Sequence, residues 1–178
     1  MSNQAILLIF VGFVVAERVA ELVIANKNEK WILAQGGVEI ASTFSQMIVA
    51  FHILWFAAFL LDVIFSGAQM VVALEFAFGA LVVLQAGRYW CIHALGKYWN
   101  TKVLVLPNAE LARRGPYKFL KHPNYVIVVI EIFLYPTLFG CLWTATVGTL
   151  LNGVLLAKRI SQEEAALREM TNYRQVYG

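Results

Sequence analysis

The chain alternates long apolar runs with short polar segments, and this pattern predicts a bundle of helices long enough to cross a membrane. The first run would cover about 30 Å at the 1.5 Å rise of an α-helix, enough to cross the hydrocarbon of a bilayer. We predict about five transmembrane helices, at residues 4–24, 44–65, 70–93, 124–139 and 141–157. The last two are short and separated by Gly140, and Pro136 should kink the fourth, so they should form a tight hairpin.

Composition points to the same class of protein. Of the 178 residues, 60% are hydrophobic and 14% are charged, which is more apolar side chain than the core of a soluble domain can hide. We therefore expect an all-α integral membrane protein that forms a single domain over residues 1–178. The first apolar run lacks the basic start and the cleavage site of a signal peptide, so it should remain as a span.

Basic residues predict the orientation. With five spans and the amino terminus outside, 12 of the 14 Lys and Arg residues lie in residues 25–43, 94–123 and 158–178, and the other two, Arg18 and Arg88, lie towards the ends of their spans on that same side. The positive-inside rule makes this the cytoplasmic side. We expect a multi-pass protein of a cytoplasmic membrane, with its catalytic elements in 94–123 and in an amphipathic helix at 158–178.

The same clustering bears on partners. A net charge of +3 does not indicate nucleic-acid binding when the basic residues lie beside apolar runs, so we expect membrane lipids and no nucleic acid as partners. Cys91 and Cys141 fall in or next to predicted spans, and we interpret both as packing residues. No His/Cys spacing resembles a zinc or haem site, so no metal is expected.

Polar residues are concentrated in the stretch 113–125, directly before the fourth span. It contains four Lys or Arg residues, one His, two Pro and two Tyr, which suits a site at a membrane surface better than a solvated linker. Pro123 suits the first turn of a helix that begins near Asn124. The stretch therefore presents its polar groups at the mouth of a helix.

A second polar group lies just beyond the fifth span. Arg159 and Glu163 are one helical turn apart, opposite the aromatic and His residues of 113–125 on the predicted cytoplasmic side. Together the two groups offer a cation, a carboxylate and stacking rings, which suit a zwitterionic, adenine-bearing cofactor better than a metal. Within the fourth span, Glu131 should face the bundle interior with a partner or be protonated, because an unpaired carboxylate is costly there.

Three motifs occur in order near the carboxyl terminus: Gly115-Pro116-Tyr117, Lys121-His122-Pro123-Asn124-Tyr125, and Arg159-Ile160 with Glu163-Glu164. Their combination closely resembles the isoprenylcysteine carboxyl methyltransferase family of membrane enzymes, from about Trp90 to the end. The amino-terminal part is similar to the small bacterial branch of that family encoded beside type III polyketide synthases, whose members are thought to O-methylate alkylpyrones. The residues that carry this second resemblance are Glu17-Arg18, Glu21 and Asn28-Glu29-Lys30-Trp31.

The resemblance implies a methyltransferase that uses S-adenosylmethionine. Arg159 would face the methyl acceptor. The implied cofactor contacts are Leu104, Ala109, Glu110, Leu111, Ala112, Tyr117, His122, Pro123, Asn124, Tyr125 and Glu163. The chain departs from the family at Lys121, where an Arg is usual, so the charge is kept but not the bidentate fork. Residues 109–112 do not match the family by side chain, so contacts there would run through the backbone.

The chemistry implied is an in-line displacement of a methyl group from sulfur to oxygen. The protein has to align the two reactants and exclude water, a contribution that can reach about 7–11 kcal/mol. An acidic acceptor is already ionised near neutral pH, and Arg159 could hold it without a base. A neutral hydroxyl would need a base, and His122 and Glu131 are the candidates. The acceptor should be a lipophilic small molecule or lipid-modified substrate, such as a prenylcysteine or an alkylpyrone.

Two other functions fit parts of the sequence. Membrane sterol reductases that use NADPH share a His-Pro-Asn-Tyr element, although those enzymes are larger. A non-catalytic adaptor could use the basic loop to bind anionic lipid headgroups. Cofactor-binding measurements separate all three hypotheses.

Overall fold

The computed structural model describes residues 3–111 and 113–177, and most of them are helical. These residues form six α-helices and two short β-strands: α1 Asn3–Ala34, β1 Val38–Glu39, α2 Ser42–Ser66, α3 Leu74–Leu95, β2 Leu104–Val105, α4 Pro123–Leu138, α5 Leu142–Met170 and α6 Tyr173–Tyr177. Short 3-10 helices lie at Gly96–Tyr98 and Gly115–Lys118.

The prediction of a helical chain is confirmed, but the chain is not purely α-helical. Strands β1 and β2 pair antiparallel, with Val38 opposite Val105 and Glu39 opposite Leu104. The backbone N–H of Ile40 extends the pairing by donating to the Val103 carbonyl at 2.9 Å. Val103 and Val105 are β-branched and favour an extended conformation, and the segment after α1 supplies a partner strand. This pair fixes the position of Leu104.

Helix α1 is longer than predicted. We predicted that the first span ends at residue 24, whereas the helix continues to Ala34 and ends just before Gly36 and Gly37. The polar residues at 28–30 include fair helix formers, and no Gly or Pro stops the helix earlier. Asn28 gives this extension a tertiary role, because its Nδ2 donates to the carbonyl of Trp99 at 2.8 Å.

Other helix boundaries follow the sequence more closely. Helix α4 begins at Pro123, as the turn chemistry predicted, and contains Pro136 near its end. Helix α5 is continuous through the predicted fifth span and the first part of the predicted tail helix. Helix α3 starts at Leu74 rather than at residue 70, because residues 67–73 form an irregular loop in which Val71 N donates to Leu138 O at 2.9 Å.

Within the described residues, α2 is the one helix that is both long and apolar enough to cross a membrane, with a mean hydropathy of 2.3; α4 is a shorter apolar helix. Large apolar side chains are exposed along the helices, including Phe65 at 84% and Trp143 at 80%. A surface of this kind in water would be prone to aggregation.

An aromatic cluster holds the helices together. Phe10 of α1 contacts Tyr135 and Phe139 edge-on, with ring centroids 5.2 Å and 5.3 Å apart, and Phe59 of α2 packs on the same group. Towards the other end of α1, a smaller cluster places Ala25 against Ile92 and Trp99. The second cluster fixes the loop after α3 against α1, beside the candidate site.

Candidate functional site

A groove lies between the loop after α3, the start of α4 and the far part of α5. Its walls are formed by Leu95, Tyr98, Trp99, Asn100, Lys102, Val103, Leu104, Val105, Tyr117, Lys121, His122, Asn124, Tyr125, Glu163 and Leu167. Six of the cofactor contacts implied by the sequence share this groove: Leu104, Tyr117, His122, Asn124, Tyr125 and Glu163. The structure thus brings the 113–125 stretch and α5 together.

The hydroxyl of Tyr125 joins the cation and the carboxylate of α5. It donates a hydrogen bond to Glu163 and accepts one of 2.8 Å from Arg159 Nε. Arg159 Nη2 also donates to the Thr101 carbonyl at 2.6 Å, and the guanidinium lies 5.3 Å from the Tyr125 ring centroid. Arg159 is 8% exposed, so its charge is held in one place by these partners. Arg159 therefore adjoins the groove through Tyr125.

His122 lies beside this network at the start of α4. Its ring stacks on Tyr125 with centroids 5.3 Å apart and planes 11° apart. Its Nε2 donates to Glu164 at 3.2 Å, and its Nδ1 lies 4.0 Å from Glu163. Burial raises the pKa of the Glu164 carboxyl, but the hydrogen bond from His122, with the charge of Lys121 nearby, outweighs burial and lowers this pKa below its usual value.

Tyr117 enters the groove from the 3-10 helix that begins at Gly115. Burial raises the pKa of its phenol well above the usual value, so Tyr117 is a neutral hydrogen-bonding group. Gly115 has φ +50°, and a Cβ there would lie 2.9 Å from the indole nitrogen of Trp90 and 3.0 Å from Ala94 Cβ. Glycine therefore lets this turn approach α3 closely and brings Tyr117 to the site.

Several implied contacts lie away from the groove wall. Ala109, Glu110 and Leu111 are not among its lining residues; Leu111 N instead donates to Asn172 Oδ1 at 2.8 Å, which ties the segment to the turn after α5. Pro123 is buried and starts α4 without lining the groove. Ala112 lies outside the described residues.

Glu131 belongs to a separate ion cluster inside the helix bundle. It is 2% exposed and pairs with Arg88 and, at 2.6 Å, with Arg18. Arg18 also pairs with Glu21 at 2.7 Å, and Glu21 lies 3.1 Å from Arg88. The expectation that Glu131 has a partner is confirmed, but Glu131 is not among the groove residues. Arg88 links the cluster to the site, because it donates to Asn124 at 3.4 Å.

Comparison with known proteins identifies the family. The family model "Isoprenylcysteine carboxyl methyltransferase (ICMT) family" matches residues 75–169, which is more than half of the chain and includes every groove residue named above. The chain belongs to the isoprenylcysteine carboxyl methyltransferase family. This is a family of membrane-embedded methyltransferases that use S-adenosylmethionine, so the resemblance stated from the sequence motifs is confirmed at the family level.

Two bacterial proteins are similar to this family member over most of its length. The Bacillus subtilis (strain 168) protein called uncharacterized protein YpbQ is 36% identical, over 90% of this chain and 96% of the relative. An uncharacterized protein of Haemophilus influenzae is 25% identical, over 88% of this chain and 92% of the relative. No solved structure matches the chain significantly.

The groove residues of this family member fit the cofactor of the family. Glu163 offers a carboxylate to hydroxyl or ammonium donors, and the His122–Tyr125 stack offers an aromatic face. The indole N–H of Trp99, a groove residue, is buried and has no hydrogen-bond partner among the described residues. No group of three metal-ligating side chains is gathered anywhere in residues 3–111 and 113–177.

Sequence reasoning missed part of this site. The groove residues between Leu95 and Val103 received no role, and neither did the Thr101 carbonyl that holds Arg159. Trp99 and Asn100 lie in a hydrophilic loop, and a loop sequence does not disclose which neighbours its side chains face. Their positions depend on long-range bonds to α1, such as Asn100 Nδ2 to Ala25 O at 2.8 Å.

Proposed function

We propose that this protein is an S-adenosylmethionine-dependent O-methyltransferase that acts on a lipophilic acceptor. The observation that carries the proposal is the Arg159–Tyr125–Glu163 network, which places a cation and a carboxylate on either side of one hydroxyl at the edge of the groove. The cation suits an anionic acceptor and the carboxylate suits a cationic donor. The two side chains lie on one face of α5, so both reactants are held by a single rigid element.

The groove side of the network would hold the cofactor. When bound, S-adenosylmethionine supplies an electrophilic methyl group on a sulfonium ion. Glu163 is proposed to accept hydrogen bonds from it, while Trp99 and Asn124 provide further polar contacts and His122 and Tyr125 provide the aromatic face. Leu104 and Tyr117 close the groove and exclude water from the reacting atoms.

The other side of the network would hold the acceptor. Arg159 is buried among Tyr125 and the Thr101 carbonyl, and its remaining donor capacity suits an oxygen anion. A carboxylic acid or an acidic enol is ionised near neutral pH, so it needs a positioning cation and no base. For a neutral hydroxyl, His122 is better placed than Glu131, because His122 lies in the groove and Glu131 is paired with two arginines.

The proposal includes a placement in the membrane. We propose that α1 to α5 each cross the bilayer, as one domain over residues 1–178, with the groove and α6 at the cytoplasmic face. The exposed apolar surface of the helices supports this placement, as does the positive charge of the loop and the tail. A lipophilic acceptor could then reach Arg159 from the bilayer while the cofactor reaches Glu163 from the cytoplasm. Prenylcysteines and alkylpyrones both have this character.

The proposal is tested with purified protein, methyl-labelled S-adenosylmethionine and a lipid extract. Label should pass to a lipophilic product. Glu163→Gln should weaken cofactor binding about tenfold or more, because it removes the charge of a ligand-binding carboxylate. Arg159→Ala should abolish transfer while cofactor binding stays near normal. Glu169→Gln and Arg174→Ala are matched controls, since both side chains belong to exposed residues outside the groove.

Three results would overturn the proposal or its site assignment. If both site variants transferred label as well as the controls, the site assignment would be wrong. If calorimetric titration showed NADPH binding and no S-adenosylmethionine binding, the sterol-reductase alternative would replace it. Affinity for anionic lipid without affinity for either cofactor would instead support the adaptor.

A further inference from the structure

The segment 113–121 exposes an unusual mixture of side chains beside the groove. Phe119 is 77% exposed and Leu120 is 51% exposed, although both are large apolar residues in a loop. Lys118 and Lys121, on either side of them, are also exposed. An aromatic and an aliphatic side chain between two lysines is the pattern of a segment that lies in the interface between water and lipid.

The charge of this segment has one sign. Arg113, Arg114, Lys118 and Lys121 are its charged residues, and it contains no acidic residue. Two of the cations are fixed on the rings of α6, because Arg113 lies 5.3 Å from the ring centroid of Tyr177 and Lys121 lies 5.6 Å from the same centroid. Arg114 and Lys118 are exposed to solvent. The segment therefore holds a fixed basic surface.

The position of the segment adds a third observation. Lys121 stands two residues before Pro123, where α4 begins. If α4 crosses the bilayer as proposed above, Phe119 and Leu120 lie at the level of the headgroups. Their exposed apolar area then faces lipid, and the adjacent cations face lipid phosphates.

We propose that the segment 113–121 is a binding surface for anionic phospholipids of the cytoplasmic leaflet, with the cations contacting the headgroups and the side chains of Phe119 and Leu120 inserted beside them. The inference uses the membrane placement proposed above but not methyl transfer. It assigns a role to four cations and two apolar residues that the cofactor and acceptor sites leave largely unused.

The test is native mass spectrometry of the detergent-purified full chain titrated with phosphatidylglycerol or phosphatidylcholine. The wild type should bind phosphatidylglycerol more tightly. Arg114→Gln with Lys118→Gln should lower the phosphatidylglycerol association constant by up to about thirtyfold and leave phosphatidylcholine binding unchanged. The factor follows from about 1 kcal/mol for each of the two cations, at roughly tenfold per 1.4 kcal/mol. Phe119→Ala with Leu120→Ala should weaken both lipids.

Matched controls make the result decisive. Lys27→Gln with Lys30→Gln removes two exposed cations from the end of α1 and should leave the preference intact. Arg114→Lys with Lys118→Arg keeps both charges and should retain the preference for phosphatidylglycerol. The proposal is overturned if the segment variant keeps the wild-type preference, if the α1 variant loses it equally, or if inorganic phosphate displaces the lipid at equal concentration. If the wild type did not bind S-adenosylmethionine, that result would count against the proposed function but not against this lipid-binding surface.

Discussion

Replacing Glu131 with leucine should lower the free energy of unfolding by about 3–5 kcal/mol, the usual cost of leaving a buried charge without its partner. Arg88 is 1% exposed and would keep one carboxylate, Glu21, which it would share with Arg18. Two cations on one anion leave the cluster with a net positive charge inside the bundle. Since the Arg18 side chain is 39% exposed and can relax outward, most of the cost should come from Arg88.

Unfolding in mixed micelles with increasing sodium dodecyl sulfate, followed by tryptophan fluorescence, measures this free energy. Glu75→Leu is the matched control, because Glu75 is an exposed acid on a neighbouring helix. The double variant Glu131→Leu with Arg88→Met should recover much of the loss, because it leaves Arg18 and Glu21 as a neutral pair at 2.7 Å. Equal effects of Glu131→Leu and Glu75→Leu, or a double variant no more stable than the single one, would refute the reasoning. Methyl transfer by Glu131→Gln, measured per folded molecule, separates a stabilising role of Glu131 from that of a catalytic base. Loss of a catalytic base would lower the rate by several orders of magnitude.

Two further predictions concern the groove. Tyr125→Phe keeps the stacked ring but removes the hydroxyl that joins Arg159 to Glu163. Each hydrogen bond to a charged group is worth about 1.5–3 kcal/mol, so kcat/KM for methyl transfer should fall at least about tenfold. An unchanged kcat/KM would show that the hydroxyl has no part in binding or transfer. Because the pKa of Glu164 is lowered in the folded protein, its carboxylate stabilises the fold fully at pH values above 4.5, the usual pKa of such a carboxyl. This contribution is lost as the pH falls through the lower pKa of the folded state. Thermal unfolding between about pH 6 and pH 3 should therefore show a smaller loss of stability in Glu164→Gln than in the wild type, and parallel curves would contradict the assignment.

Much of the fold could be read from the sequence because apolar runs and turn residues act locally. Pro123 marked the start of α4, and the continuous α5 followed from its amphipathic pattern beyond residue 158. The extension of α1 to Ala34 was missed, because the polar residues after the first apolar run suggested the end of the span, and the contact of Asn28 with the Trp99 carbonyl that anchors the extension is long-range. The β1–β2 pair was missed for the same reason, since its two strands are about 65 residues apart along the chain.

The sequence by itself determined which residue types were available for the site and roughly where they stood along the helices, because hydrophobic periodicity and motif order are properties of the chain. Tertiary structure decided which of them meet. Only the packing of α4 against α5 brings the Tyr125 hydroxyl to both Arg159 and Glu163, and only the packing of α1, α3 and α4 gives Glu131 two arginines instead of a place in the groove. Burial and pairing depend on neighbours distant in sequence. The sequence alone therefore does not distinguish a catalytic carboxylate in a span from one that stabilises the bundle.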